Sequence, residues 1–239
     1  MPPSANIPAD AAIALAPPAD LPDVYADAPL LQRLLVRARP WICPLEPLLE
    51  AVPRQATVLE VGCGVGLWLV RLAERRHIAG GVGCDINPRA IAVAQAAARR
   101  LPGGSLRFEA QTSACAIPPG QFDCVMLIDV LHHVAPADQP ACVAEAASRV
   151  APGGVLIYKD MVARPWWRAG FNRLHDLVLA RQWIHYVPTR DVAAWARATG
   201  LRITRFSAFT RFAYGHEMMV FERPAGPPAR SQAGRASAR

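Results

Sequence analysis

Val58-Leu59-Glu60-Val61-Gly62-Cys63-Gly64-Val65-Gly66 is the stretch on which the reading of this chain turns. Its first four residues read as a buried strand carrying one acid. The glycines at 62, 64 and 66 then bend the chain before Leu67 opens a helical pattern. Glycine permits positive φ and lets a ligand approach the backbone where a Cβ would stand in the way. A dinucleotide fingerprint needs glycine or alanine three positions after its second glycine, for close packing around a pyrophosphate. Here Leu67 occupies that position. No Gly-Lys-Ser/Thr follows, which excludes a P-loop.

Working outward, strand-like runs at Thr57–Val61, Gly81–Asp85, Leu106–Glu109, Phe122–Ile128 and Val155–Lys159 alternate with helical stretches at Leu67–Arg75, Pro88–Arg100 and Gln139–Val150. Alternation of this kind predicts an α/β fold with crossover connections and a mostly parallel sheet covered on both faces. Upstream, Leu30, Leu31, Leu34 and Leu35 give one apolar helical face, with the helix expected to end near Pro40. A short helix around Leu45–Ala51 precedes Pro53. Downstream, a helix is expected from Thr189, as its N-cap, to Thr199, closed by Gly200. Strands about Arg202–Phe209 and Glu217–Arg223 are expected to pair antiparallel through the Tyr214-Gly215 region.

The 239 residues are 52% hydrophobic and 19% charged, ample for a core and against disorder throughout. No apolar run has the length of a membrane-spanning helix. Six cysteines without CxxC or metal spacing argue against a disulfide scaffold or a metal site, and reduced thiols fit a cytoplasmic protein. The net charge of +7 falls to +3 once Arg223, Arg230, Arg235 and Arg239 are set aside, so the excess sits on a tail and no nucleic-acid partner is expected. Residues 1–25 read as a disordered leader, 26–223 as one domain and 224–239 as a disordered basic tail. Lys159 is the only lysine in the chain.

The acid–x–GxGxG stretch resembles motif I of the class I S-adenosylmethionine (SAM)-dependent methyltransferases. Val82-Gly83-Cys84-Asp85-Ile86-Asn87, Phe122–Val134 and Ala151–Ile157 resemble that family's following motifs in the right order, over roughly residues 55–160. The resemblance implies a Rossmann-like three-layer αβα sandwich with seven strands, parallel except for the last. It also implies a SAM site drawn from Glu60, Gly62, Cys63, Gly64, Gly66, Asp85, Ile86, Ser113, Ala114, Asp129 and Val130. Asp85 would accept hydrogen bonds from both ribose hydroxyls. Glu60 would orient the loop amides, face the methionine ammonium, or do both. Ser113 stands where relatives often carry an aspartate toward the adenine amino group. Asp123 reads as a structural acid at the start of a strand.

Ligands of open parallel sheets lie beyond the carboxyl ends of the strands. The candidate general bases there are His132, His133, Lys159 and Asp160, with His133 preferred over His132; both histidines could instead shape the pocket. Residues 161–188 are too long for an ordinary connection and read as a helical lid insert. Trp166, Trp167, Phe171, Trp183 and Tyr186 could wall an acceptor pocket or cap the helices, and His175 and His185 could reach the substrate. Arg164, Arg168, Arg173 and Arg181 could hold a carboxylate or a carrier-protein-bound acceptor, or form a solvated face. The insert also resembles those of methyltransferases from bacterial secondary-metabolite clusters. The expected activity is methylation, on oxygen or carbon, of a hydroxylated aromatic or acyl-type small molecule. The alternatives are an RNA methyltransferase and a non-catalytic SAM-binding module.

Overall fold

The computed structural model describes residues 23–161, 185–211 and 214–226. Seven strands form one sheet in the order β3-β2-β1-β4-β5-β7-β6. They are β1 (Thr57–Val61), β2 (Gly80–Asp85), β3 (Leu106–Ala110), β4 (Phe122–Ile128), β5 (Val150–Met161), β6 (Arg202–Arg211) and β7 (Tyr214–Glu222). The first five run parallel, and β7 is antiparallel to both of its neighbours, β5 and β6. β7 is therefore inserted into the sheet while β6 forms the edge.

The two-residue period of β4 explains the layers. Cys124, Met126 and Ile128 point to one face, where they meet α3 (Leu67–Glu74) and α4 (Pro88–Arg100). Val125 and Leu127 point to the other, against α5 (Gln139–Ser148) and α6 (Thr189–Ala198). Val58, Leu59 and residues 124–127 are fully buried, as central strands of a sheet covered on both faces should be. The chain winds outward from β1 to β3, then returns to place β4 on the other side of β1. That reversal opens a crevice beyond the carboxyl ends of β1 and β4.

Several boundaries differ from the sequence reading for identifiable reasons. α1 (Leu30–Ile42) runs through Pro40, because a proline in the last turn forfeits one backbone bond while Cys43 N still closes on Arg39 O at 2.8 Å. Its leucines Leu30, Leu31, Leu34 and Leu35 face outward, whereas Val36 is buried. β5 starts at Val150, five residues early, since residues 151–154 bulge out between the pairs Phe122–Val150 and Cys124–Val155. Thr189 is the first residue of α6, preceded by Pro188 as cap, and its hydroxyl donates to Glu217 instead. The short α2 (Glu46–Ala51) stops where Pro53 predicts.

Candidate active site

The glycine turn joins β1 to α3 with Gly62, Gly64 and Gly66 all at positive φ, between 53° and 76°. A Cβ on Gly62 would lie 2.2 Å from Val130 Cγ2, and one on Gly66 would lie 2.5 Å from Phe108 Cζ. Those two glycines are required by the chain's own packing as well as by their φ. Gly64 alone has open space in front of it. Its amide donates to Asp85 Oδ2 at 2.8 Å, and Asn87 N donates to Asp85 Oδ1 at the same distance. Asn87 caps α4 by accepting from the amides of Arg89 and Ala90, which fixes the turn that carries Asp85.

Two cavities flank this turn. One, of about 400 Å³, is lined by Gly62, Asp85, Ile86, Ser113, Ala114, Asp129, Val130 and His133, among others. The second, of about 380 Å³, lies under α1 and is lined by Gln32, Leu35, Arg39, Glu60, Cys63 and Gly64 together with Gly62 and Asp129. Gly62 and Asp129 border both, so the two cavities form one bent cleft around the end of β1. Tyr25 donates its hydroxyl to Val65 O at 3.0 Å, tying the segment ahead of α1 onto the glycine turn.

Buried charge concentrates at the bend. Lys159 at the end of β5 bonds both oxygens of Asp129, and Arg39 of α1 reaches Asp129 Oδ2 at 2.9 Å. Burial alone would raise the Asp129 carboxyl, but Lys159 and then Arg39 outweigh it and hold it well below the usual carboxylate range. Glu60, nearby on β1, has no such cation in contact among the described residues. Its Oε2 is buried without a hydrogen-bond partner among the described residues, and burial pushes its pKa up to about 8. An orphaned carboxyl oxygen at the wall of a cavity fits a site for an ammonium group.

At the third corner, His132 and His133 form a 3-10 turn with Leu131 directly after β4. His132 is buried, with Nδ1 2.5 Å from Asp160 Oδ1. Met161 N also donates to that oxygen, which holds the carboxylate in place. His133 lies on the cleft wall, its ring 4.1 Å from that of His132. Desolvation, then the neighbouring imidazole, pushes its pKa down. The amide of His185 donates to His132 O at 2.8 Å.

All eleven residues expected around the cofactor occupy one region: ten line the two cavities and Gly66 closes the turn beneath them. Lys159 and Asp160 are adjacent yet take different partners, Asp129 and His132, and neither faces solvent. Asp123 accepts from the amide and hydroxyl of Thr57 at 2.8 and 2.7 Å, a strand-pinning role. The residues expected in a lid, Arg164, Trp166, Trp167, Arg168, Phe171, Arg173, His175, Arg181 and Trp183, lie outside the described residues, as do 1–22, 212–213 and 227–239. Sequence reasoning missed Arg39 and His216. Arg39 is one of three arginines in α1, and nothing local marks it as the one turned inward. His216, buried on β7, binds Ile42 O through Nε2 at 2.8 Å and so anchors the end of α1 to the sheet.

A profile of the methyltransferase-domain family matches residues 33–205. The chain is 31% identical over 157 residues to a ubiquinone biosynthesis O-methyltransferase of Pseudomonas paraeruginosa, a match covering 62% of this chain and 65% of that protein. It thus spans just under two thirds of that relative's length. Among solved structures, an O-methyltransferase family protein from Burkholderia thailandensis superposes with a TM-score of 0.63 at 23% identity, covering 82% of this chain and 59% of that one. Magnesium protoporphyrin IX methyltransferase from Synechocystis PCC 6803, solved with SAH bound, gives 0.61 at 20% identity, covering 84% and 91%. The strand order, the cleft at the switch point and the family match agree: the chain belongs to the methyltransferase-domain family, within the class I SAM-dependent methyltransferases.

Proposed function

We propose that this chain transfers the methyl group of SAM to the hydroxyl oxygen of a small aromatic or acyl-type acceptor. The observation that carries the reading is the hydrogen bond between His132 and Asp160 at the carboxyl ends of β4 and β5. The relative named as an O-methyltransferase of ubiquinone biosynthesis supports an oxygen as the methylated atom.

The residues present fit SAM on both sides of the bend. Asp85 faces the larger cavity with a carboxylate anchored by two amides, suited to the paired hydroxyls of a ribose. Ile86, Ser113 and Ala114 line the same cavity and would meet the adenine. Under α1, Glu60 would meet the methionine ammonium and Arg39 its carboxylate. SAM supplies a methyl carbon already activated on a sulfonium, so the protein's work is alignment, exclusion of water and removal of one proton. Alignment of this kind contributes on the order of 7–11 kcal/mol in favourable intramolecular reactions.

In the proposed reaction the acceptor's O–H proton passes to the imidazole of His132, whose ring lies beside that of His133 on the cleft wall. Asp160, on Nδ1, holds the ring and stabilises the imidazolium that forms. Bound SAM would supply the methyl group to that oxygen and leave as the thioether. His133 shapes the cleft wall beside it. Incubation with SAM labelled in the methyl group and pools of phenolic and acyl metabolites, followed by mass spectrometry, tests the reading. The expected product carries the label on oxygen. SAM binding without transfer to any hydroxylated acceptor would contradict it.

A further inference from the structure

α1 is an amphipathic helix set the wrong way round for a globular core. Gln32, Val36 and Arg39, spaced four and three residues apart, share the side turned to the protein: Val36 is buried and the other two line the cleft. The opposite side presents Leu30, Leu31, Leu34 and Leu35, which are 70, 62, 53 and 41% exposed. Among the described residues only six large apolar side chains are exposed, and α1 carries five of them. A patch so concentrated marks an interaction surface, since scattered single leucines would need no explanation.

The charge around the patch selects the partner. Arg33 and Arg37 lie one turn apart beside the leucine face, and no acidic residue occurs between Asp27 and Glu46. Leucines bordered by arginines, without acids, suit a surface that is apolar inside and anionic at its rim. We propose that α1 docks on an anionic lipid bilayer, with its leucines among the acyl chains and Arg33 and Arg37 at the headgroups. Leu35 belongs both to this face and to the cleft lining, so docking would set the cleft mouth at the lipid boundary. No helix among the described residues is long and apolar enough to cross a membrane, consistent with a helix that lies on the surface.

The test is flotation of the full chain with vesicles of phosphatidylcholine alone and of phosphatidylcholine mixed with phosphatidylglycerol. The wild type should float with the mixed vesicles. Leu30→Ser/Leu34→Asp should lower its partition at least about tenfold, and Arg33→Glu/Arg37→Glu should remove the preference for phosphatidylglycerol. Unchanged circular dichroism and S-adenosylhomocysteine affinity would show that the leucine variant is folded. No flotation by the wild type would overturn the proposal, as would flotation unaffected by the leucine changes, which would assign binding to the arginine tail. A wild-type dimer that becomes monomeric in Leu30→Ser/Leu34→Asp by light scattering would also overturn it, assigning the face to a second copy.

Discussion

Lys159 grips Asp129 with one ammonium on two oxygens, its Nζ lying 2.7 Å from Oδ1 and 2.8 Å from Oδ2, and both side chains are shut away from solvent. Asp129 adopts this position with φ at 52°, a left-handed conformation that a non-glycine residue keeps only when its surroundings enforce it. The pair ties the end of β4 to the end of β5, and Arg39 extends it to α1. The chain's single lysine thus fixes the point where the two halves of the cleft meet.

Breaking that pair should be costly. Lys159→Met leaves a buried carboxylate with a half-exposed arginine, and a loss of about 3–5 kcal/mol in unfolding free energy is expected. Lys159→Met/Asp129→Asn should recover much of it, because the unpaired charge is gone. Urea unfolding of the three proteins checks this; a single variant that loses under about 1 kcal/mol would show that the pair is not structurally important.

Glu60 gives a pH signature. Burial holds its proton up to about 8, against 4.5 for an ordinary glutamate. The folded chain then keeps a proton that the unfolded chain has released, so stability falls as pH rises from 4.5 to 8 and levels off above. At about 1.4 kcal/mol per pH unit the loss is on the order of a few kcal/mol. Glu60→Gln removes this dependence, so its stability relative to wild type should climb across that window. Urea midpoints at matched pH values are the readout, and a pH-independent difference would count against the assignment.

The proposed base is tested by its orienting partner. Asp160→Asn should lower turnover about 10²–10⁴-fold while leaving the affinity for S-adenosylhomocysteine near wild type. His132→Ala should lose as much, and combining the two should add little, since they act as one unit. His133→Ala should cost less. Equal turnover in wild type and Asp160→Asn would remove the dyad from the reaction.

At Gly62, an alanine would strain a φ of 71° and drive its Cβ into Val130. Gly62→Ala should lose roughly 2–4 kcal/mol of stability, from overpacking together with the unfavourable φ. Adding Val130→Ala should restore only the steric part. Calorimetric melting of the single and double variants reads the split; full recovery would mean that the φ is not constraining.

The fold was legible because its signals are local. The continuous apolar runs of β1 and β4, the glycines of the turn and the Asn87-Pro88 cap specify their elements through neighbouring residues alone. Thr57–Val61, Phe122–Ile128 and Pro88–Arg100 have the same bounds in sequence and structure. The residues expected around a cofactor come together for a related reason, since they sit at or beyond the carboxyl ends of strands whose positions the pattern fixes. What escaped depends on long-range partners. Arg39 meets Asp129 across 90 residues of chain, and His216 reaches Ile42 O across 174. The separate pairings of Lys159 and Asp160 follow from the alternation of β5, which sends neighbouring side chains to opposite faces. The outward leucines of α1 could not be told from a core face by periodicity, which records a stripe without saying what covers it.

Calorimetric titration with S-adenosylhomocysteine, for wild type and Asp85→Ala side by side, tests the account at its centre. Wild type should bind one equivalent, and Asp85→Ala should bind at least about tenfold more weakly, the loss of one charge-assisted contact to the ribose. A wild type that gives no heat with S-adenosylhomocysteine but binds NADH would contradict the assignment of the cleft.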